Sequence, residues 1–211
     1  MYRQVYQGAS LDMSTTTLKL RPPEDFLHSL EGVTKGEVIR MVAGEACYLF
    51  FHKISRAIER LVREKECEIK IIAGPIIWVQ EETRNNGIFN LTEDKHVTLY
   101  KANRYQTQHC TIFGDRMVWV EPRRYPLPEK RIGYYIENNP LLVGKYIYDF
   151  DTAIEIKNFS ASSNPRNDFI LMNRDEIQNL LSFADRQHLH FEFLTLADII
   201  HLTKQMTSTS S

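Results

Sequence analysis

Three successive stretches of the chain show the hydrophobic patterns of a strand, a helix and a strand. Residues 37–43 form a mostly apolar run that Gly44 closes. Residues 45–65 carry apolar side chains at helical spacing, with charged side chains on the opposite face. The apolar stripe consists of Ala46, Leu49, Phe50, Ile54, Ala57, Ile58, Leu61 and Val62. Residues 68–73 are rich in β-branched side chains and end at a Gly-Pro pair. This order predicts a βαβ unit with parallel strands.

The pattern predicts further elements on both sides of this unit. The predicted strands cover residues 96–100, 109–113, 117–120 and 190–194, and the predicted helices cover residues 23–30, 141–156, 174–184 and 196–204. Gly114 and Asp115 are typical turn residues, so the strands on either side of them form a hairpin. Parallel strands combined with a hairpin predict an α/β fold with a mixed β-sheet flanked by helices.

Four parts of the chain are predicted from these elements. Residues 34–158 form the α/β domain, and residues 1–33 form an N-terminal extension. Residues 159–206 include a polar linker at residues 160–167 and form a small C-terminal α+β appendage. The Thr- and Ser-rich residues 207–211 are expected to be a disordered tail.

Composition narrows the class of protein. The formal net charge of -1 argues against a generally basic nucleic-acid binder, although local basic patches remain available. The cysteines, Cys47, Cys67 and Cys110, have no metal-binding spacing and predict buried thiols in a reducing compartment. No apolar run approaches the roughly 20 residues that span a bilayer, so we expect a soluble, cytoplasmic protein. His188 and His190 lie two residues apart without an evident third ligand, so no metal or other cofactor is expected.

The first strand of the hairpin carries the main candidate for chemistry. Side chains alternate between the two faces of a strand, so His109 and Thr111 share one face. Glu121 lies on the adjacent strand, where it either orients His109 or pairs with Arg123 at the strand end. Asp115 is either a turn residue or a catalytic partner of His109.

A basic cluster follows the hairpin. It consists of Arg123, Arg124, Lys130 and Arg131, interleaved with Tyr125, Tyr134 and Tyr135. Positive charges that neutralise phosphates and aromatic rings that stack on bases are typical of single-stranded nucleic-acid binding. The alternative interpretation is a solvated, proline-rich loop.

The order of elements over residues 36–157 resembles half of the phospholipase D superfamily, whose motif is His-x-Lys-x4-Asp. His109 matches the histidine of the motif, but Thr111 stands at the lysine position and Asp115 comes one residue early. Val120-Glu121-Pro122 replaces the Gly-Ser/Asn element that usually follows. The resemblance implies a phosphohistidine mechanism in active members. It also implies that a chain with one motif copy forms a homodimer, which places both His109 residues near the twofold axis.

Three functions are left open, the first two implied by this resemblance and the third holding if the resemblance is only topological. The first is a degenerate module that binds phosphate or nucleic acid, or acts as a regulatory homodimer, in a nucleic-acid-processing or defence system. The second is an active, metal-independent phosphodiesterase or nuclease in which arginines replace the missing lysine; the candidates are Arg104, Arg116, Arg123 and Arg124. The third is an interaction subunit that binds a protein partner and has no pocket.

Overall fold

The computed structural model describes residues 19–21, 23–43, 52–78, 94–104, 109–121, 133–156, 159–190 and 194–209. Several predictions from the sequence fall outside these ranges. They concern the basic cluster Arg123, Arg124, Lys130 and Arg131, the first part of the helix predicted from residue 45, and most of the strand predicted over residues 190–194.

The described residues form ten strands and six helices. The strands are β1 (Lys19–Arg21), β2 (Val38–Ala43), β3 (Glu68–Ala73), β4 (Ile76–Trp78), β5 (Val97–Lys101), β6 (His109–Phe113), β7 (Met117–Glu121), β8 (Gly133–Glu137), β9 (Ser160–Ala161) and β10 (Ile170–Met172). The helices are α1 (Pro23–Glu31), α2 (His52–Arg63), α3 (Pro140–Ile156), α4 (Pro165–Asp168), α5 (Arg174–Arg186) and α6 (Leu196–Thr209).

Within the described residues, one eight-stranded mixed sheet forms the centre of the molecule, in the order β1-β8-β7-β6-β2-β3-β5-β9. The pairs β2–β3 and β3–β5 are parallel, which confirms the predicted βαβ unit. The hairpin strands β6 and β7 pair antiparallel, and β6 also pairs antiparallel with β2. The mixed α/β fold expected from the sequence is therefore confirmed.

Helices cover both faces of this sheet. Side chains of α1 and α2 pack on the face that contains Ile39, Phe113 and Trp119, and the α2 residues there belong to the predicted apolar stripe. Helix α3 packs on the opposite face against a second hydrophobic cluster. Arg40 of β2 fastens α3 to the sheet, because its Nε and Nη2 donate hydrogen bonds of 2.9 and 3.0 Å to the two carboxylate oxygens of Asp151.

The C-terminal residues build a smaller unit that shares a strand with the main domain. Strand β10 pairs parallel with β4, which follows β3 after a short Gly-Pro break. Helices α5 and α6 pack with these strands around a separate hydrophobic cluster. Helix α5 begins with a capping box, in which Asn173 and Glu176 satisfy each other's backbone N–H groups.

The hydrophobic pattern did not predict strands β4, β8, β9 and β10. Strand β8 follows a proline-rich stretch and does not alternate in burial, and β1 pairs with β8 at the sheet edge. Of the helices in the described residues, none is long and apolar enough to cross a membrane.

Candidate functional site

The β6–β7 hairpin sets which side chains meet at the site. Its register pairs His109 with Glu121, Thr111 with Trp119 and Phe113 with Met117, so these residues share one face of the sheet. Gly114 opens the turn with a φ of +58°, a conformation that glycine adopts without strain. A Cβ at Gly114 would also lie 2.9 Å from Oε1 of Glu37.

His109 lies at the edge of the sheet where α/β proteins usually bind ligands. The parallel strands β2, β3 and β5 all end at this edge, and Val42 of β2 pairs with Cys110 of β6. The next position along β2, Ala43, therefore lies beside His109. In open α/β sheets, ligands bind in the crevice beyond the carboxyl ends of the parallel strands. The position of His109 agrees with that rule.

His109 and Glu121 form a buried pair. The Nδ1 atom of His109 lies 3.6 Å from Oε2 of Glu121, and the side chains are only 6% and 4% exposed. This separation is within ion-pair distance but longer than a hydrogen bond. A carboxylate near Nδ1 fixes the orientation of the ring and favours a proton on that nitrogen, and Nε2 is the nitrogen that remains for chemistry. The sequence-based expectation that Glu121 orients His109 matches this geometry.

Thr111 lies behind His109 on the same strand and face. It pairs with Met41 on one side and with Trp119 on the other, and it is 6% exposed. Its hydroxyl group can donate one hydrogen bond, but it supplies no positive charge. A cation at the motif's lysine position would stabilise the charge that develops when a phosphodiester is cleaved. Thr111 cannot replace a lysine in that role.

Asp115 and Arg116 lie at the opposite end of the hairpin from His109. From His109 to Phe113 the strand spans about 13 Å at the usual rise per residue, and both residues lie in the turn beyond it. Arg116 donates hydrogen bonds of 2.9 and 3.1 Å to the carboxylate of Glu37. Both residues therefore lie away from His109 in this structure, and the roles expected of Asp115 as a catalytic partner and of Arg116 as a replacement for the lysine stay predictions.

The remaining candidates are distributed as follows. Arg104 forms an antiparallel bridge with Thr195, next to the start of α6. The pKa of Asp198 nearby is lowered chiefly by hydrogen bonds from Thr195, and Arg104 adds a smaller electrostatic contribution. Among the described residues, no group of three or more His, Cys, Asp or Glu side chains could hold a metal ion, and His188 and His190 belong to no such group.

Sequence analysis missed two residues at this edge, Trp119 and Gly133. The indole of Trp119 lies over Gly133, where its Cζ2 atom is 2.2 Å from the position that a Cβ would occupy. Seeing this contact requires the register between β7 and β8, and β8 was not predicted. A lone glycine after a proline-rich stretch gave no signal of its own.

Comparisons with known proteins found similar solved structures only. No family model and no curated protein matches the sequence. Among solved structures, Nuc from Salmonella typhimurium, a phospholipase D family member, aligns at a TM-score of 0.50 with 13% identity, over 70% of this chain and 97% of that one. NucT from Helicobacter pylori aligns at a TM-score of 0.47 with 12% identity, over 66% of this chain and 95% of that one. The archaeal chromatin protein TrmBL2 aligns at 0.47 with 12% identity, over 69% of this chain, which spans about half (53%) of TrmBL2.

The chain therefore has the phospholipase D-like fold, as its order of elements indicates. The likeness to Nuc covers nearly all of that protein. At such low identity the likeness establishes the fold, and the role of the His109 site has to be argued from its own chemistry.

Proposed function

We propose that this chain is a degenerate phospholipase D-like module that binds a phosphate ester at the His109 site and works as a homodimer. The observation that supports this most is the set of side chains at the edge of the sheet where the parallel strands end. His109 and Glu121 keep the oriented imidazole of a phosphate site, whereas Thr111 takes the place of the cation that cleavage requires.

The ligand class follows from the chemistry of these groups. A protonated imidazole beside a carboxylate donates a charge-assisted hydrogen bond to a phosphoryl oxygen through Nε2. Arg123 and Arg124 follow Glu121 closely in sequence, and positive charges there would add contacts to neighbouring phosphates of a nucleic acid. We therefore propose nucleic acid as the ligand, in a nucleic-acid-processing or defence setting.

The proposed homodimer has a geometric requirement. Two His109 residues can share one phosphate only if the carboxyl edges of the two sheets face each other across a twofold axis. Light scattering coupled to size-exclusion chromatography measures the mass directly, and a dimeric mass supports the proposal. A monomeric mass at concentrations where ligand binds would contradict the shared site.

A cytoplasmic location is part of the same proposal. Cys67 and Cys110 are buried and free of disulfide bonds, as expected of thiols in a reducing compartment.

Binding is tested with a short fluorescein-labelled oligonucleotide, single- or double-stranded, as DNA or RNA. Fluorescence anisotropy at low salt should show binding by the wild type and a clear loss in His109→Ala. His28→Ala is the matched control, because His28 is an exposed histidine on α1 and does not belong to the strands that carry the site. Rising salt should weaken the binding steeply, since phosphate contacts release counterions. Equal binding by His109→Ala and the wild type would contradict the proposed site.

One observation favours a second function, an active metal-independent phosphodiesterase. The Glu121 carboxylate lies where it would orient His109 as a nucleophile and stabilise the imidazolium form. In this case the wild type cleaves the same oligonucleotides in the presence of EDTA, and both His109→Ala and Glu121→Gln lose the activity. Binding without cleavage by the wild type supports the first function and excludes the second for these substrates.

The substitution Thr111→Lys separates the two functions further. It restores the lysine of the motif at a position that faces the site. If the missing cation is the reason for inactivity, this variant should gain cleavage that the additional change His109→Ala abolishes. Circular dichroism has to show that the variant folds, because the position is buried.

A further inference from the structure

The indole N–H group of Trp119 is buried without an acceptor. Trp119 is 2% exposed, and no atom of the residues that the structure describes accepts a hydrogen bond from its Nε1. Folded proteins rarely leave a buried donor unpaired, because removing it from water is unfavourable unless a partner replaces the water. An unpaired donor of this kind therefore points to a partner other than the residues that the structure describes.

Aromatic neighbours fix the ring in place. Trp119 contacts Tyr135 edge to face, with ring centroids 4.6 Å apart, and contacts Phe26 at 5.8 Å. The hydroxyl of Tyr135 lies 2.7 Å from that of Ser29, so this polar group is already paired. The ring is thus held by packing on two sides, and its N–H is a donor of fixed direction.

The indole of Trp119 lies over Gly133, at the sheet edge that carries His109 and Glu121. The Cε2 atom, to which Nε1 is bonded, is 2.5 Å from the position of a Cβ on Gly133. Val120 pairs with Tyr134, so the register places Gly133 directly beside Glu121. His109 flanks Glu121 on the other strand. Along the edge, Glu121 therefore stands between the imidazole of His109 and the indole that covers Gly133.

We propose that Trp119 is a ligand-binding residue, whose indole N–H donates a hydrogen bond to an oxygen of the phosphate group held at His109. This inference rests on the proposed function. Indole Nε1 is a donor only, and phosphoryl oxygens are strong acceptors, so the chemistry of the two groups matches. The donor carries no charge and does not titrate, so its contribution is the same at every pH where the protein is folded.

Gly133 is part of the same arrangement. Its missing side chain leaves the space through which the indole reaches the edge. Any larger residue there would push the nitrogen away from Glu121.

The test follows the indole N–H directly in the wild-type protein. The chain has two tryptophans, so a ¹H–¹⁵N spectrum shows two indole signals, and Trp78→Phe assigns them. Inorganic phosphate is added first, and a short oligothymidylate second. We expect the Trp119 signal to move downfield and to saturate at the same concentration as binding measured by anisotropy, while the Trp78 signal stays in place.

A variant adds a second measurement. Trp119→Phe keeps an aromatic ring but removes the N–H, and it should bind the oligothymidylate roughly tenfold more weakly than the wild type. Trp78→Phe is the matched control and should bind like the wild type. Circular dichroism shows whether each variant is folded, and the wild-type spectrum remains informative if Trp119→Phe is not.

The outcomes are distinct. Binding by anisotropy with an unchanged Trp119 signal would overturn this inference and leave the proposed function intact. No binding of either probe by the wild type would overturn both. A Trp119 signal already far downfield without ligand would mean that the chain itself supplies the acceptor, which also overturns the inference.

Discussion

Replacing Gly133 with alanine tests the contact on which the placement of Trp119 depends. The new Cβ would lie 2.2 Å from Cζ2, 2.5 Å from Cε2 and 2.8 Å from Cη2 of the indole. Carbon atoms in contact normally lie about 3.5–4.0 Å apart, so the ring or the strand has to move by more than about 1 Å. Tyr135 and Phe26 confine the ring, and little space is left for that movement.

Two opposing effects determine how much Gly133→Ala changes the free energy of unfolding. Overpacking a core of this kind costs about 1–3 kcal/mol. Gly133 is not among the glycines with positive φ, so its backbone conformation suits alanine. Alanine also lowers the conformational entropy of the unfolded chain, which raises the free energy of unfolding by about 0.4–1 kcal/mol. We therefore expect Gly133→Ala to lower the free energy of unfolding by about 1–2 kcal/mol. A backbone without positive φ also means that the loss comes from the clash with Trp119.

The assay is urea unfolding followed by circular dichroism, since tryptophan fluorescence would itself respond to the change. Gly144→Ala is the matched control, because a Cβ there has no heavy atom within 4 Å and the position lies inside α3. Alanine in place of glycine within a helix should raise the free energy of unfolding by about 0.5–1 kcal/mol. The double variant Gly133→Ala with Trp119→Leu should be less destabilised than the sum of its single changes, because the clash is gone.

One result would refute this reasoning. If Gly133→Ala is as stable as the wild type while Gly144→Ala gains stability as expected, the indole does not lie over Gly133. The proposed position of Nε1 beside Glu121 would then fail as well.

Three further predictions concern a carboxylate, a thiol and an ion pair of the main domain. The pKa of Glu37 is lowered, because hydrogen bonds from Arg116 and from the backbone outweigh the opposing effect of burial. The contribution of Glu37 to stability is therefore complete above the ordinary pKa of 4.5 and is lost as the pH falls through the lower pKa of the folded state. The stability difference between the wild type and Glu37→Gln should therefore shrink on strong acidification, and a difference that does not depend on pH would contradict this. Burial raises the pKa of Cys110 to about 12, so iodoacetamide at neutral pH should modify this thiol only after unfolding, as peptide mass spectrometry can show. Arg40→Lys loses the two-pronged contact with Asp151 and should lower the free energy of unfolding by about 1–2 kcal/mol in urea titrations, whereas an unchanged midpoint would show that the pair adds little.

Local periodicity accounts for the parts of the fold that the sequence predicted correctly. The apolar stripe of α2 and the β-branched run of β3 are properties of neighbouring residues, so the βαβ unit could be read directly. Strand β8 has no such pattern, since its burial follows the pairing with β7 and β1 rather than an alternation along its own sequence. Strand β8 forms through pairing with β1, which is distant in sequence, and with β7, from which a proline-rich stretch separates it.

The same distinction separates the site residues whose placement followed from the sequence from those whose placement did not. A hairpin around Gly114 fixes its own register, so the meeting of His109 and Glu121 followed from the sequence. The contact of Arg116 with Glu37 depends on how β2 pairs with β6, across many intervening residues. Arg116 was considered as a replacement for the lysine because it is close to His109 in sequence. His109, however, begins β6, and Arg116 lies in the turn after the far end of that strand.

The loss of the motif lysine and the position of Trp119 are two sides of one change. Thr111 and Trp119 are direct cross-strand neighbours on the face that carries His109, and both are buried. A small β-branched residue at position 111 leaves room for the large ring opposite, whereas a lysine there would have to extend beside the indole toward the same edge. We therefore propose that the hairpin offers a phosphate the neutral, rigid N–H donor of Trp119 and no cation at position 111. Such a site can bind a phosphate but lacks the charge that lowers the barrier to its cleavage, which is why we favour binding over catalysis.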